Sequence, residues 1–188
     1  IFLPMAISFV GAGVIWKFVY NFNAGDAQIG ILNAIIAKLG GKTIAFLQTQ
    51  PINTFALIAV GIWMWSGFCM VILSAALKAV PTELTEAARV DGASEWTVFW
   101  KITLPIILPT LTVAITTMII IVLKMFDLVF VMTGGNFKTD VIANRMYREM
   151  YITQQTGRGT AVAVVLLILT VPIMYINIKR FQEQEAMR

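Results

Sequence analysis

The sequence predicts an all-α membrane protein, a polytopic helical bundle with four transmembrane helices in this chain. Three observations predict it. Of 188 residues, 59% are hydrophobic and 13% charged, against about 45–50% and about 25% in an ordinary soluble domain. Four apolar runs reach the length of about 20 residues that a helix needs to cross a bilayer. None of them alternates polar and apolar, as the strands of about 9–11 residues in a membrane barrel do.

The first run is Ile1–Phe22, interrupted only by Lys17. It opens on Ile1 with no basic leader and no small-residue cleavage site, so it reads as an N-terminally incomplete chain rather than a signal peptide. The second run, Phe55–Leu77, has 23 residues and no charge. The third, Ile102–Leu123, is uncharged with Pro105 and Pro109 near its start, and the fourth, Gly159–Ile178, is uncharged with Pro172 near its end. Between the first two lies Asn23–Thr54, whose apolar piece Ala27–Ala37 is too short to span and is expected at the interface. Lys78–Lys101 is polar and acidic, Lys124–Arg158 is long and polar and contains Gly134-Gly135, and the tail Lys179–Arg188 is charged. Lys and Arg divide six against six between the two sides. The side with Lys78–Lys101 and the tail is shorter, and its greater positive density points weakly to the cytoplasm.

Composition also removes chemistries. With no histidine in the chain, Ser-His-Asp and Cys-His catalysis and the common zinc sites have no basis. A single Cys69 allows no internal disulfide. A net charge of +4 without a basic run gives no footprint for nucleic acid. Gly41-Lys42-Thr43 mimics the end of a phosphate-binding loop, but Ile36 stands where that loop needs its first glycine. ATP hydrolysis would have to be supplied by another subunit.

The richest local signals lie between the second and third runs. Pro81 suits the first position of a helix, and Glu83 suits its first turn. Thr82–Asp91 reads as that helix, and Gly92 as the left-handed residue that closes it. Ser94 can cap a second short helix with Glu95 at its start. The expected product is a rigid hairpin bent at Gly92 and held outside the bilayer, with Ala87 and Ala88 allowing close approach of another protein.

Glu86-Ala87-Ala88, three residues, Gly92, nine residues, then Ile102, Leu104 and Pro105 resembles the EAA loop of bacterial ABC importer permeases at every fixed position. Phe126-Asp127-Leu128 followed by Thr133-Gly134-Gly135 is similar to the carbohydrate-uptake branch, of maltose, glycerol-phosphate or α-glucoside type, and to its first permease subunit. Asn136-Phe137 departs from that branch, which often continues with Gly-Pro. The resemblance implies a type I ABC importer permease fold, with residues 1–188 forming one transmembrane permease domain that is part of a larger one, further spans preceding it. It implies that 78–105 is a cytoplasmic coupling loop docking on an ATPase subunit, with Glu86 meeting a basic group there and Gly92 providing the bend.

Polar groups in spans are costly and often functional. Lys124 and Asp127, three apart, are read as an interfacial structural pair on one helix face. Lys17 is read as a snorkelling side chain, and Thr116 and Thr117 add hydroxyls to the third run. Trp63, Trp65 and Ser66 lie at mid-depth of the second span, where an aromatic face beside a hydroxyl suits a sugar. The two tryptophans point about 200° apart, so at most one faces a pathway, and Trp65 with Ser66 is the candidate pair. Gly11, Gly13, Gly61 and Gly67 are read as helix-packing positions.

The expected function is the membrane-spanning permease subunit of an ATP-driven importer for a sugar or oligosaccharide, in the bacterial or archaeal cytoplasmic (inner) membrane. The chain would be no enzyme and would hold no cofactor, ATP and Mg residing on the partner. The implied partners are ATPase subunits, a second permease subunit, an extracytoplasmic solute-binding protein, the sugar itself and membrane lipid, with no nucleic acid. A membrane-embedded hydrolase lacks a nucleophile–base pair, and no carboxylate lies within any span. A secondary, ion-coupled transporter subunit is the alternative, though no charged coupling residue appears at mid-bilayer.

Overall fold

The computed structural model describes residues 3–25 and 28–186, with side chains described as far as Lys179. Ile1, Ala27 and Arg188, which fall in three of the expected segments, lie outside the described residues. Nine α-helices are present among those described: α1 (Phe9–Val19), α2 (Ile31–Lys38), α3 (Ile52–Lys78), α4 (Thr82–Val90), α5 (Glu95–Val98), α6 (Leu104–Leu123), α7 (Asp127–Met132), α8 (Ile142–Tyr147) and α9 (Thr156–Ala186). π-helical turns at Phe99–Thr103 and Arg148–Ile152 join α5 to α6 and extend α8.

Among the described residues, three helical stretches are long and apolar enough to cross a membrane: Ile52–Lys78, Glu95–Leu123 and Thr156–Lys179. The expected count of four is therefore corrected to three. The first run is split. A 3-10 turn covers Leu3–Ala6, and Ser8 stands extended and caps a new helix at Phe9, its hydroxyl accepting from Gly11 N–H at 3.0 Å. The remaining 11 residues of α1 rise only about 16 Å, roughly half a hydrocarbon core.

The chain forms two compact units, Ile1–Gly67 with Leu123–Ile168, and Phe68–Val122 with Leu169–Arg188. In the first, α1 packs along α7. A Cβ at Gly13 would meet Val131 Cγ1 at 3.1 Å, so glycine there sets the helix approach. Gly61 does not act this way, since a Cβ there meets nothing within 4 Å. Val60, Leu128, Val129 and Met132 form the centre of this core with Tyr20, Ala56 and Leu57.

Two buried asparagines pin the loops of this unit. Asn33, on α2, donates from Nδ2 to the carbonyls of Asn21 and Ile44 at 2.9 Å each and accepts from Ile44 N–H at 2.8 Å. Asn53, in the first turn of α3, donates to the Phe137 carbonyl at 2.8 Å. A buried backbone group without a partner is costly, so these side chains replace the regular ladders that loops lack.

The expected Lys124–Asp127 pair on one helix face is not formed. The helix α6 ends at Leu123, and Asp127 begins α7 after a break. Asp127 instead occupies the first turn of α7, where a carboxylate meets the positive end of the helix dipole. Lys17 does more than snorkel: its Nζ donates to the Val131 carbonyl at 3.3 Å, satisfying one of the open carbonyls at the end of α7.

The second unit contains the end of α3, the α4–α5 hairpin, the π-helical turn and α6. Thr112 and Thr116 in α6 turn their hydroxyls back onto Leu108 and Thr112 carbonyls at 2.8 and 2.9 Å, so neither hydroxyl is an unsatisfied donor in the span. On α9 none of the apolar window is buried within the chain. Half-burial follows one stripe, Val162, Ala163, Leu166, Thr170 and Ile173, and the remaining apolar faces belong in lipid or against other membrane helices.

Candidate functional site

The hairpin between α3 and α6 is built by local rules. Pro81 is the residue before the helix, at φ −58° and ψ 126°, one position earlier than the expected first helical residue. Its extended ψ lets the chain turn into α4 without leaving an N–H unpaired there. Along α4, Glu83 lies in the first turn and Arg89 in the last, both favourable to the helix dipole.

Asp91 ends α4, and Gly92 follows at φ +82°. Gly92 N–H donates to Arg89 O at 3.0 Å, and Ala93 N–H to Ala88 O at 2.9 Å. These are the two bonds of a Schellman closure, which requires a left-handed residue at the Gly92 position. Ser94 then caps α5, its hydroxyl accepting from Thr97 N–H at 3.3 Å.

A brace absent from the sequence reading crosses the bend. Arg89 Nε and Nη2 donate to the two carboxylate oxygens of Glu95 at 2.7 and 3.1 Å. The hydrogen bond to Glu95 raises the Arg89 pKa above its ordinary value. Both side chains remain largely exposed, so the pair fixes geometry more than it adds stability. Contacts of α4 with α5 and with the π-helical turn close the hairpin, in which Val98 is buried.

Glu86 and Ala87 are exposed and Ala88 is half-buried. Among the described residues no hydrogen bond or ion pair engages the Glu86 carboxylate, although its charge is felt by Arg89 three residues on. Val90 and Trp96, 86% and 71% exposed, add apolar surface to this protrusion.

Ile102 lies in the π-helical turn, and Leu104 and Pro105 begin α6. Leu104 N–H donates to Phe99 O, the five-residue closure of a π turn. Pro105 explains it: with no N–H for the Lys101 carbonyl and a ring that would strike it, the helix widens by one residue just before. The seven residues Glu86, Ala87, Ala88, Gly92, Ile102, Leu104 and Pro105 thus fall on one continuous hairpin-to-span element.

Trp63 and Trp65 both meet α1. Trp63 stands edge-on to Trp16 at 5.5 Å between ring centroids, and Trp65 lies 6.2 Å from Phe9. The 200° separation along α3 is overcome by the reach of the rings to two sites on α1. Ser66 is exposed and donates to the Trp63 carbonyl at 3.2 Å, so its oxygen keeps only accepting capacity.

A second organised region is the loop that carries Thr133-Gly134-Gly135. Positive φ angles occur at Gly134, Gly135, Phe137 and Lys138. The Thr133 and Thr139 hydroxyls meet at 2.6 Å, Thr139 donates to the Asn136 carbonyl at 2.7 Å, and Asn144 donates to Asp140 Oδ1 at 2.5 Å. A side chain at Gly135 would strike Asn144 and Asp140. The turn at Asn136-Phe137 is left-handed at Phe137, and nothing in an Asn-Phe dipeptide announces that.

Comparison with known proteins bears on the fold and the family. Residues 1–184 match the family model described as the binding-protein-dependent transport system inner membrane component. The chain is 58% identical over 189 positions to the osmoprotective compounds uptake permease protein GgtC of Synechocystis, covering all of this chain and 68% of that protein. It is 51% identical over 181 positions to the alpha-glucoside transport system permease protein AglF of Rhizobium meliloti, covering 95% and 54%. Against the trehalose/maltose transport system permease protein MalF of Thermococcus litoralis it is 31% identical, covering 97% and 61%. The chain thus spans between about half and two thirds of the length of these relatives. A solved bacterial alginate ABC transporter, in complex with an alginate pentasaccharide-bound periplasmic protein, has a chain of the same fold at a TM-score of 0.77 and 26% identity, covering 94% of this chain and 60% of that one. Fold and relatives agree, and the chain belongs to the family of binding-protein-dependent transport system inner membrane components, the multi-pass permease subunits of ABC importers.

Proposed function

We propose that this chain forms part of the translocation pathway of an ATP-driven importer for a sugar or sugar-like polyol, an α-glucoside being the favoured class. The observation that carries the coupling half of this reading is the hairpin. A free carboxylate at Glu86 sits on a short helix locked at Gly92 and joined without a flexible loop to the span α6. Such an element can transmit a push. The solute half leans on the 51% identity to a permease named for alpha-glucosides.

In this reading residues 1–188 are one transmembrane permease domain within a larger protein, and 78–105 is its cytoplasmic coupling loop. Two ATPase subunits, which hold ATP and Mg, close on nucleotide and move the Glu86–Pro105 element. Glu86 meets a basic group, Ala87 and Ala88 allow close approach, Gly92 keeps the bend, and Ile102, Leu104 and Pro105 pass the motion to α6. An extracytoplasmic binding protein delivers the solute, which crosses between this chain and a second permease subunit, with Trp65 and Ser66 as contacts along the way. A span has its ends on opposite sides, so a cytoplasmic hairpin after Lys78 puts the segment before Ile52 outside. Family membership leaves the ion-coupled alternative without support.

The test is ATP hydrolysis and uptake by the assembled transporter in proteoliposomes, across a panel of maltose, trehalose, sucrose and non-sugar osmolytes. Stimulation by one or more glucosides, abolished without ATP, is expected. Uptake driven by an ion gradient alone overturns the reading.

A further inference from the structure

Within the first compact unit, a cleft of about 440 Å³ opens between the end of α1, the segment before α3 and the Thr133–Lys138 loop. Ligand sites commonly have volumes of about 300–1,000 Å³. Its polar lining includes Lys17, Asn21 and Gln48, and Phe137 forms part of its wall. Lys17 spends one donor on the Val131 carbonyl, leaving two. The side-chain amides of Asn21, half-buried, and Gln48, exposed, make no hydrogen bond among the described residues. Two idle amides and an ammonium facing one cleft offer donors and acceptors without internal use.

The wall residue is the second, independent observation. Phe137 has φ +55°, a left-handed conformation that a bulky residue adopts only under strain. It is held there by two clamps on its carbonyl, from Gln50 Nε2 at 2.9 Å and Asn53 Nδ2 at 2.8 Å. Strain of this kind persists where surrounding structure over-determines it, and it concentrates at ligand sites. Its result is a half-exposed ring beside the polar groups. An apolar flat face flanked by amides is the complement of a pyranose, which has one face of C–H bonds and a rim of hydroxyls.

We propose that this cleft is a holding site for one glucosyl unit, formed by this chain alone and lying on the outer side of the membrane. Phe137 supplies the platform, and Asn21, Gln48 and Lys17 take ring hydroxyls. The side assignment and the sugar class rest on the proposed function. The site is distinct from the Trp65–Ser66 contacts, because none of its lining residues lies on α3.

The experiment uses the full transporter with its ATPase subunits in lipid nanodiscs, without the binding protein. Binding of maltose and of trehalose is titrated by saturation-transfer NMR, which reads millimolar affinities. The Asn21→Ala and Gln48→Ala variants remove side chains that hold nothing in the fold, so they assemble normally. Each lost neutral hydrogen bond weakens binding about 2- to 10-fold, and the double variant loses the product. Phe137→Ala weakens it further, whereas Phe137→Trp keeps it. In parallel, ATP-driven uptake of the same sugars is measured in proteoliposomes with the binding protein. Uptake with weakened binding in the variants supports both readings. Uptake with binding that is absent, or unchanged in Asn21→Ala and Gln48→Ala, overturns the holding site and leaves the transport reading intact. Binding lost in the variants but no uptake by the parent supports the site and sinks the sugar-import reading. Neither binding nor uptake overturns both.

Discussion

Substitution at Gly92 separates two reasons for a glycine. A Cβ built there meets nothing within 4 Å, so crowding is not the reason. The reason is φ +82°. An L-residue other than glycine pays about 1–2 kcal/mol for the left-handed region, which corresponds to about 5- to 30-fold in the population of the closed bend. Asparagine visits this region far more readily, and a β-branched residue is the worst fit. Closure should therefore rank Gly92 parent, then Gly92→Asn, then Gly92→Ala, then Gly92→Val. The Ala93 amide reports it, because its bond to Ala88 O exists only when the bend is closed. Hydrogen exchange on the permease before ATPase docking should show near-parental protection in Gly92→Asn and a loss of about 5- to 30-fold in Gly92→Ala. Exchange that instead follows side-chain volume, with asparagine as damaging as valine, would refute the conformational argument. ATPase co-purification and coupled hydrolysis should follow the same rank.

Glu86→Lys should insert normally yet weaken ATPase docking by one to two orders of magnitude, since a charge-assisted contact is worth about 1.5–3 kcal/mol; unchanged co-purification would remove Glu86 from the interface. Asn33→Leu should lower the thermal midpoint in detergent by at least about 6 °C, because it strands the Asn21 and Ile44 carbonyls and the Ile44 amide at about 1–3 kcal/mol each, and each kcal/mol is worth about 2–4 °C at this chain length. Trp65→Ala and Ser66→Ala should alter solute selectivity more than assembly, and identical transport kinetics across the sugar panel would reduce both to packing residues.

The hairpin was legible nearly residue by residue because its determinants are local. Pro81, Gly92 and Ser94 each act within four positions of themselves, and the first is displaced by only one. Three apolar runs were legible because length and the lack of charge decide whether a helix can cross a bilayer. The first run misled because composition does not register a single cap: Ser8 restarts the helix within an apolar stretch. Lys124 and Asp127 misled because spacing on a helix means nothing once the helix has ended. Contacts distant in sequence were out of reach. These include Trp16 against Trp63, Gln50 and Asn53 on the Phe137 carbonyl, and the cleft that follows from them. Arg89–Glu95 lay within reach, being six residues apart across a bend already inferred, but the pairing depends on the angle that the bend takes.

The π-helical turn at Phe99–Thr103 also acts as a phase setter. An α-helix advances about 100° per residue, and the turn inserts one extra residue between Ser94 and Pro105. Everything before it is therefore rotated by about 100° around the axis of α6, relative to an uninterrupted helix. The direction in which Glu86 faces is thus indexed to the lipid- and partner-facing sides of the span by a single proline. Two permeases with the same hairpin and the same span, differing only in whether this turn is widened, would present their acidic residue to different quadrants.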